Sequence, residues 1–499
     1  MAFPDWISEY RGRAVLESSG AGWTMDRLEA QCDRIARALM GRVSTRRPVG
    51  LIADNGADWI AVDLATHGVD LTLVPLPVFF SAEQLAHVVR VTDMQSLFCA
   101  DPRIALRLGF TEEVFRIGGL GLYERFTPVV TDAFEGVPIG VQKITFTSGT
   151  TGEPKGVCLS VTQQLQTAQA LAAVTDSLNL GRHLNLLPLP VLLENIAGVY
   201  APLMAGVTCI CPALDEVGLS GGSAFDARRC LDAIARHAPD SVILLPQMLH
   251  ALVAVLGCTT VRDRRIDSLK FVAVGGAKTP PLLIARARDL GLPVFEGYGL
   301  SECASVVALN VPGADRPGSV GRALPGTRVR VSSAGEIEVS GREFAGYLGV
   351  PAQQSKSWLK TGDLGAIDAE GFISVVGRTD NVLITGYGRN VSPEWPEGLL
   401  IEDPAIAQAA VFGEARPHLV AVIVAAAPGV GDALISAAVD QANRRLPDYA
   451  RIGAWVRADE SLSHRNGLAT VNGRLRRGAI LARYADHLNR LYAAERGQT

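Results

Sequence analysis

Residues 144–159 read ITFTSGTTGEPKGVCL, an apolar run followed by hydroxyl and glycine residues, a lysine and a second apolar run. Glycine N–H groups and hydroxyls packed this densely form a concave set of donors that suits phosphate oxygens, and Lys155 adds a mobile positive charge. The G-x-x-x-x-G-K-[ST] pattern does not fit these residues. We predict a different phosphate-binding loop, with an ordinary hairpin turn as the alternative. The predicted phosphate contacts are Thr147, Ser148, Gly149, Thr150, Thr151 and Gly152.

Composition sets the broad class of the protein. The 499 residues carry 20% charged and 48% hydrophobic side chains with a net charge of −4, which is ordinary for a globular protein of two to four structural units. The charge gives no reason to expect a nucleic-acid or anionic-membrane partner. No stretch is long and apolar enough for a transmembrane helix, and the first residues lack a secretory core. Because the cysteines show no disulfide or zinc spacing, we expect a reducing, cytoplasmic setting.

The order of strand-like and helix-like segments predicts an α/β fold. Up to about residue 315, short apolar runs alternate with amphipathic segments, as in layered, mostly parallel sheets. Short strands separated by glycines then indicate a small β-rich subdomain, and a compact α/β segment follows. We predict a large N-terminal domain, residues 1–379, and a small mobile lid domain, residues 380–499. The predicted helices are 25–39, 54–68, 81–89, 247–256, 282–290, 432–445 and 475–493. The predicted strands are 49–53, 71–76, 240–245, 269–274, 328–331, 336–340, 372–376, 409–411 and 419–425.

Several further motifs share an order with the loop. The segments are LLPLPVLLENIAGVYA at 186–201, VGGA at 274–277, EGYGLSE at 296–302, LKTGDL at 359–364 and GRTD at 377–380. Together with the loop they resemble the adenylate-forming, AMP-binding superfamily, and the long-chain acyl-CoA synthetases within it. Beside the loop, the resemblance implies the ATP-binding residues Gly275, Gly276, Ala277, Glu296, Gly297, Tyr298, Gly299, Asp363 and Arg378.

The resemblance implies that a carboxylate attacks the α-phosphorus of ATP and that a thiol then displaces AMP. Because both partners of the first step are anions, positioning and charge stabilisation should supply most of the catalysis. Lys155 would hold the departing pyrophosphate, and Glu302 would bind Mg²⁺. Asp363 would bind the ribose hydroxyls, with Arg378 beside it. The alternatives are a helix N-terminal charge for Glu302, a turn aspartate for Asp363 and a domain-interface ion pair for Arg378.

The same resemblance implies a rotating lid. Asp380 falls at the hinge position, and a lid that turns about it suits two reactions that need different groups at one site. The loop at 386–397, GYGRNVSPEWPE, would face the thiol tunnel after rotation. Gly388 and Asn390 are the candidates there, and a plain structural loop is the alternative.

One position departs from the family pattern. The family has a lysine near the C-terminus that bridges the carboxylate and the adenylate oxygens, whereas the segment 466–477, NGLATVNGRLRR, has Arg474 there. Since no lysine follows Lys360, no neighbouring lysine can replace it, and arginine is bulkier and forked. We expect Arg474 to perform the lysine's task; slow adenylate formation is the alternative.

The acyl pocket and the substrates are predicted from the apolar segments. Val191, Leu192 and Val274, together with Leu193, Ile196 and Gly275, are expected to line an apolar acyl pocket, although they can also be plain core residues. No Asp or Arg occurs in these segments to bind the charged groups of an amino acid. We therefore expect a medium- or long-chain fatty acid, with ATP, Mg²⁺ and coenzyme A. The alternatives are delivery to a carrier-protein phosphopantetheine and a nucleotide-binding pseudo-enzyme.

Overall fold

The computed structural model describes residues 12–43, 47–125, 137–147, 155–220, 224–258, 263–342, 345–350, 358–384, 390–470 and 473–496. The strands are β1 (Ala14–Ser18), β2 (Ala21–Thr24), β3 (Val49–Ile52), β4 (Leu73–Pro75), β5 (Ser96–Cys99), β6 (Glu112–Ile117), β7 (Leu120–Glu124), β8 (Lys143–Thr147), β9 (Lys155–Leu159), β10 (Arg182–Leu184), β11 (Thr208–Ile210), β12 (Leu219–Ser220), β13 (Ala224–Phe225), β14 (Ser241–Leu244), β15 (Phe271–Val274), β16 (Val294–Leu300), β17 (Ser305–Leu309), β18 (Arg322–Ala323), β19 (Arg328–Val331), β20 (Glu336–Ser340), β21 (Leu359–Ile367), β22 (Ile373–Arg378), β23 (Leu383–Ile384), β24 (Asn390–Val391), β25 (Ile406–Phe412), β26 (Leu419–Ala425) and β27 (Ile452–Arg457).

The helices complete the layers. They are α1 (Met25–Leu39), α2 (Ala57–Gly68), α3 (Ala82–Val91), α4 (Pro102–Arg107), α5 (Val161–Thr175), α6 (Leu192–Asn195), α7 (Ala201–Met204), α8 (Ala227–His237), α9 (Pro246–Leu256), α10 (Pro281–Asp289), α11 (Glu394–Leu400), α12 (Asp432–Arg444) and α13 (Arg477–Arg496). A π-helix, Ile196–Tyr200, joins α6 to α7. Among the described residues, no helix is both long enough and apolar enough to span a bilayer.

Two large sheets form the N-terminal part. One has the order β6-β7-β5-β3-β4-β8-β9 and the other β18-β17-β16-β15-β14-β10-β11-β1-β2 among the described residues. Their central strands are parallel, and antiparallel strands close the edges. Residues of α1, α2, α5 and α7 share one core with both sheets, whereas α8–α10 and α3–α4 pack on the outer faces. The predicted layered α/β fold is confirmed.

The local signals that form the helices are visible in the sequence. Helix α1 occupies the predicted range, with Thr24 as its N-cap and a buried stripe at helical spacing from Met25 to Leu39. Helix α3 starts with a capping box in which Ser81 pairs with Gln84. The predicted segment 54–68 is helical only from Ala57.

The remaining sheets are smaller. Strands β19-β20-β21-β22 form the predicted β-rich subdomain, and β25-β26-β27 form the centre of the C-terminal segment, with α11 and α12 on one face and α13 on the other. In the motif segment 186–201 the helical part begins at Leu192. Pro188 and Pro190 precede it, and proline disfavours a helical residue before it.

Candidate active site

A cavity of about 1680 Å³ lies at the carboxyl ends of β14–β16 and extends under the C-terminal segment. The carboxyl edge of parallel strands is where α/β proteins bind ligands, because loops from several strands meet there. The cavity brings together predicted residues that are separated by up to hundreds of positions. Those on its wall are Lys155, Val191, Leu192, Val274, Gly275, Gly276, Gly297, Tyr298, Gly299, Glu302, Asp363, Arg378, Asp380 and Arg474.

The predicted ribose end is held by a short hydrogen-bonded chain. The Tyr298 hydroxyl donates to Asp363 Oδ2 at 2.5 Å, and Arg378 Nη1 donates to Asp363 Oδ1 at 2.8 Å. Asp363 and Arg378 face each other in the register of β21 and β22. Burial and the Asp363 carboxylate raise the pKa of Tyr298, so its phenol remains a donor. Arg378 thus pairs with Asp363 within the β21–β22 hairpin. This contact orients the Asp363 carboxylate toward the cavity.

Glu302 lies in the short helical turn after β16. The hydroxyl of Tyr347 donates to Glu302 Oε1 at 2.8 Å, and the side chain of Gln163 donates to the Glu302 carbonyl at 2.6 Å. No group of three or more His, Cys, Asp or Glu that could hold a metal ion occurs in the described part of the chain. A single carboxylate fits Mg²⁺ when substrate phosphates and water complete the coordination shell. Sequence analysis did not find Tyr347, because it belongs to none of the motifs.

The phosphate loop is seen only at its two ends. Thr147 pairs with Lys155 across the antiparallel strands β8 and β9, and Lys155 is exposed at the cavity. Ser148, Gly149, Thr150, Thr151 and Gly152 lie outside the described residues, as does the side chain of Thr147. The phosphate contacts therefore stay predictions. The antiparallel pairing of β8 and β9 fits both a phosphate-binding loop and an ordinary hairpin turn.

Glycines let the cavity wall pass close to neighbouring backbone. A Cβ on Gly299 would lie 1.6 Å from the Ser305 carbonyl oxygen, so only glycine fits there. Two of the predicted ATP-binding residues, Ala277 and Glu296, do not lie on the cavity wall. Ala277 is not among the lining residues, and Glu296 is buried, its Oε1 accepting the Thr279 N–H at 3.0 Å. Burial raises the pKa of Glu296 to about 7.

A tunnel runs from the nucleotide end into the interior. Ser241, Val242 and Ile243 of β14 line it on one side, with Leu245 just after the strand. Opposite, Leu193, Ala197, Ala201 and Ala205 recur every fourth residue on the helical side. The four residue steps from position 241 to 245 span about 13 Å. Ile196, expected to line the pocket, points into the core instead, and small Ala197 lines it.

A buried charge network stands behind the tunnel helix. Lys143 Nζ lies 2.8 Å from Asp63 Oδ1, and both side chains are buried. Asn195, just before the π-helix, and Tyr200, its last residue, also donate to Asp63. Although burial alone would raise the pKa of Asp63, the Lys143 charge lowers it, so the pair is ionic. These contacts hold the helical segment that lines the tunnel in place. The sequence did not predict the Lys143–Asp63 pair, because the two residues are 80 positions apart.

Arg474 enters the cavity from the C-terminal segment. Its backbone is held by a turn in which Arg474 N–H donates to Thr470 Oγ1 at 3.0 Å. The neighbouring Gly473 carbonyl accepts from Gln247 of the N-terminal part at 3.2 Å. Enclosure by the cleft walls and the charge of Arg378 lower the pKa of Arg474, whereas the negative charge of Asp363 opposes this. Arg474 therefore lies on the wall of the same cavity as Asp363, Tyr298 and Glu302, and its role in place of the family's lysine stays a prediction.

Arg477 has a different environment. Its two terminal nitrogens contact the two Glu397 carboxylate oxygens at 2.6 Å each, and Glu394 lies 3.4 Å away. The Val411 N–H also donates to Glu397 at 2.6 Å. Burial opposes the charge, but the Glu397 carboxylate raises the pKa of Arg477. This ion pair joins α13 to α11 and β25. No sequence motif predicted it.

The hinge and thiol-tunnel predictions are only partly visible. Asp380 lies in the helical turn after β22 and on the cavity wall, where the two parts of the chain join. Gly388 lies outside the described residues. Asn390 is described only through its backbone, which pairs with Ile384.

A family model of the AMP-binding enzymes matches residues 3–350, and a model of the AMP-binding enzyme C-terminal domain matches residues 380–496. The chain belongs to the AMP-binding enzyme family. The expectation of an adenylate-forming, AMP-binding protein is therefore confirmed.

Similar proteins include several named ligases. A long-chain-fatty-acid–CoA ligase of Mycobacterium bovis is 26% identical, covering 95% of this chain and 93% of the relative. A 2-succinylbenzoate–CoA ligase of Bacillus subtilis is 30% identical over 54% of this chain and 55% of its own. A solved anthranilate CoA ligase in complex with anthranoyl-AMP has a TM-score of 0.78 at 20% identity, covering 96% of both chains. This structural likeness establishes the shared fold.

Proposed function

We propose that this AMP-binding enzyme activates a carboxylic acid with ATP and transfers the acyl group to a thiol, releasing pyrophosphate and AMP. One observation carries the proposal: Arg474 approaches the same cavity as Glu302 and the Asp363–Arg378 pair, from the opposite side. Relatives named as acid–CoA ligases support the same reaction.

The first step joins two anions. A carboxylate oxygen attacks the α-phosphorus, the bond from that phosphorus to the bridging oxygen breaks, and pyrophosphate leaves. Arg474 stabilises the charge that develops between the carboxylate and the α-phosphate. Asp363 accepts from the ribose hydroxyls, while Lys155 holds the leaving pyrophosphate. Glu302 would hold Mg²⁺ together with the substrate phosphates, and the ion would supply further charge neutralisation.

The second step forms the thioester. The thiolate sulfur attacks the acyl carbonyl, and AMP leaves with the bonding electrons. We propose that residues 380–499 rotate about Asp380 between the two steps and present Gly388 and Asn390 to the thiol. The first matched region ends at 350 and the second begins at 380, which supports a boundary near this hinge.

The acid is proposed to be a medium- or long-chain fatty acid. The tunnel is about 13 Å long on strand spacing, and its helical side presents Ala197, Ala201 and Ala205, which leave room for a chain. No described Asp or Arg lines the tunnel beyond its mouth, which disfavours an amino acid. Leu193 and Ala197 are half-buried although they lie in the interior, because they face this space.

Coenzyme A is the proposed thiol, and a carrier-protein phosphopantetheine is the alternative. All eight cysteines are unpaired and seven are buried, which supports a reducing, cytoplasmic location. A nucleotide-binding protein without ligase activity is a further alternative, motivated by arginine at position 474.

The test is pyrophosphate release with ATP, Mg²⁺ and a panel of carboxylates, with and without coenzyme A. Multiple turnovers that require coenzyme A and are fastest with octanoate or dodecanoate are expected. Release of about one equivalent of pyrophosphate, unchanged by coenzyme A, would point to a carrier-protein thiol. No release with any acid, while ATP still binds, would favour the pseudo-enzyme. Benzoate or an amino acid as the best substrate would contradict the proposed acid.

A further inference from the structure

Three arginines close together in the C-terminal segment have three different environments. Arg477 is fully paired with Glu397, and Arg474 faces the nucleotide end of the cavity. Arg476 also lies on the cavity wall. Its Nε and Nη2 are buried, and neither has a hydrogen-bond partner among the described residues. Arg476 is thus a second cation on the cavity wall, and two of its guanidinium nitrogens are buried without a partner among the described residues.

The backbone explains why Arg474 and Arg476 point the same way. Leu475 forms an antiparallel bridge with Ala469 and packs with the core under α13. In extended backbone, alternate side chains lie on the same face. Arg474 and Arg476 therefore share the face opposite Leu475, and both lie on the cavity wall.

The two arginines reach different ends of the cavity. The electrostatic neighbours of Arg474 are Asp363, Tyr298 and Glu302. Arg476 instead lies near His464, whose pKa is lowered by burial and then by the Arg476 charge. The His464 ring contacts the Phe79 ring, with centroids 6.1 Å apart.

Phe79 connects this position to the base of the predicted phosphate loop. It packs against the core cluster that contains Phe146. Phe146 precedes Thr147, which pairs with Lys155. Arg476 is therefore placed on the Lys155 side of the cavity, and Arg474 on the ribose side.

A buried guanidinium without a partner is costly, because it has lost water and gained no counter-charge. Its planar fork is matched to the oxygens of a phosphate. The described contacts supply no carboxylate for Nε and Nη2, so an anionic ligand can serve as their partner. Of the anions in the proposed reaction, only the β- and γ-phosphates extend away from the ribose toward Lys155.

We propose that Arg476 binds the β- and γ-phosphates of ATP and the pyrophosphate that leaves, while Arg474 acts at the α-phosphate. This inference rests on the proposed function, and it assigns Arg476 a polyphosphate subsite separate from the AMP subsite. Arg476 then discriminates between ligands: it contributes to binding of ATP and pyrophosphate but not of AMP.

The test measures dissociation constants of pyrophosphate with Mg²⁺ and of AMP by calorimetry, for the full chain without any acid. Arg476→Met keeps the aliphatic length and removes the charge, and Arg476→Lys keeps the charge. Arg483→Met is the matched control, since it removes a charge of the same sign from an α13 residue paired with Glu460. We expect Arg476→Met to raise the dissociation constant of pyrophosphate about tenfold and that of AMP less than about twofold. Arg476→Lys should recover most of the loss, and the control should change neither constant.

Three results would overturn the assignment. They are an unchanged pyrophosphate constant in Arg476→Met, equal weakening of pyrophosphate and AMP, and the same weakening in Arg483→Met. Neither ligand requires the acid. If the wild-type protein bound neither, the proposed function would fail as a whole; if it bound both and Arg476→Met bound them equally well, this inference alone would fail.

Discussion

The two walls of the cavity are built differently. On the N-terminal wall, Asp363 is held by Tyr298 and Arg378, and Glu302 is held by Tyr347. On the wall contributed by the C-terminal segment, Arg474 and Arg476 face the cavity, and two guanidinium nitrogens of Arg476 are unpaired among the described residues. One wall is ordered by its own contacts, whereas the other presents cations to a ligand.

This difference fits a reaction in which the anions arrive as substrates. A preorganised wall orients the nucleotide without further cost. On the opposite wall, the Arg476 nitrogens that have no partner among the described residues would gain a counter-charge when the phosphates are bound. We infer that substrates help to hold the lid closed over the first step, which is consistent with a lid that later rotates.

Breaking the internal support of the lid should have the largest effect. Arg477→Met leaves Glu397 buried without its partner, so we expect the lid to lose about 3–5 kcal/mol of stability. Hydrogen exchange of β25 and β26 measures this loss. The double variant Arg477→Met/Glu397→Met should recover most of it, because two apolar side chains replace the pair. A single variant as stable as the wild type would contradict the role of the pair.

Behind the N-terminal wall, Glu296 forms no ion pair among the described residues, and burial outweighs the opposing effects of the Thr279 hydrogen bonds and the Lys278 charge on its pKa. Its pKa is about 7 in the folded chain against an ordinary value of 4.5. The proton it retains stabilises the fold fully below about pH 4.5, and that stabilisation is lost as the pH rises through 7. Glu296→Gln should therefore be more stabilising at pH 8 than at pH 4.5, by about 3 kcal/mol.

Chemical denaturation of the N-terminal domain at both pH values checks this difference, and Glu112→Gln, at an exposed position, is the control. A difference between Glu296→Gln and the wild type that does not change with pH would show that the carboxyl is not perturbed.

Weakening the ordered wall at the ribose end should have a smaller effect. Asp363→Asn removes the charge that pairs with Arg378 and is proposed to accept from the ribose. We expect kcat/KM for ATP to fall about 10- to 100-fold. Tyr298→Phe removes one hydrogen bond to the same carboxylate and should cost less. An Asp363→Asn enzyme with unchanged kcat/KM for ATP would remove Asp363 from the nucleotide site.

The tunnel should respond most selectively. Ala197→Leu fills its helical side, so kcat/KM for dodecanoate should fall about tenfold relative to that for hexanoate. Ala437→Leu adds the same atoms at an exposed position of α12 and should leave the ratio unchanged. Equal losses with both acids would mean that Ala197 does not line the acyl path.

Local signals predicted much of this architecture, and long-range contacts account for what was missed. The stripe of α1 predicts its range fully, because burial of one face follows from residues within the segment. Strand β21 escaped prediction because its nine residues, LKTGDLGAI, interrupt apolar alternation with the polar residues of the site. The Lys143–Asp63 and Arg477–Glu397 pairs join distant positions, so no periodicity marks them. Among site residues, Ala277 and Glu296 follow the motif in sequence but do not lie on the wall.

The most direct test of the account is the single-turnover rate of acyl-adenylate formation, with ATP, Mg²⁺ and dodecanoate, for the wild type, Arg474→Met and Arg474→Lys. If Arg474 replaces the family's lysine, Arg474→Met should slow the step about 10²- to 10³-fold, and Arg474→Lys should remain within about tenfold of the wild type because it keeps the charge. Two variants that both form the adenylate at the wild-type rate would contradict the assignment of Arg474, and with it the account of how the lid completes the site.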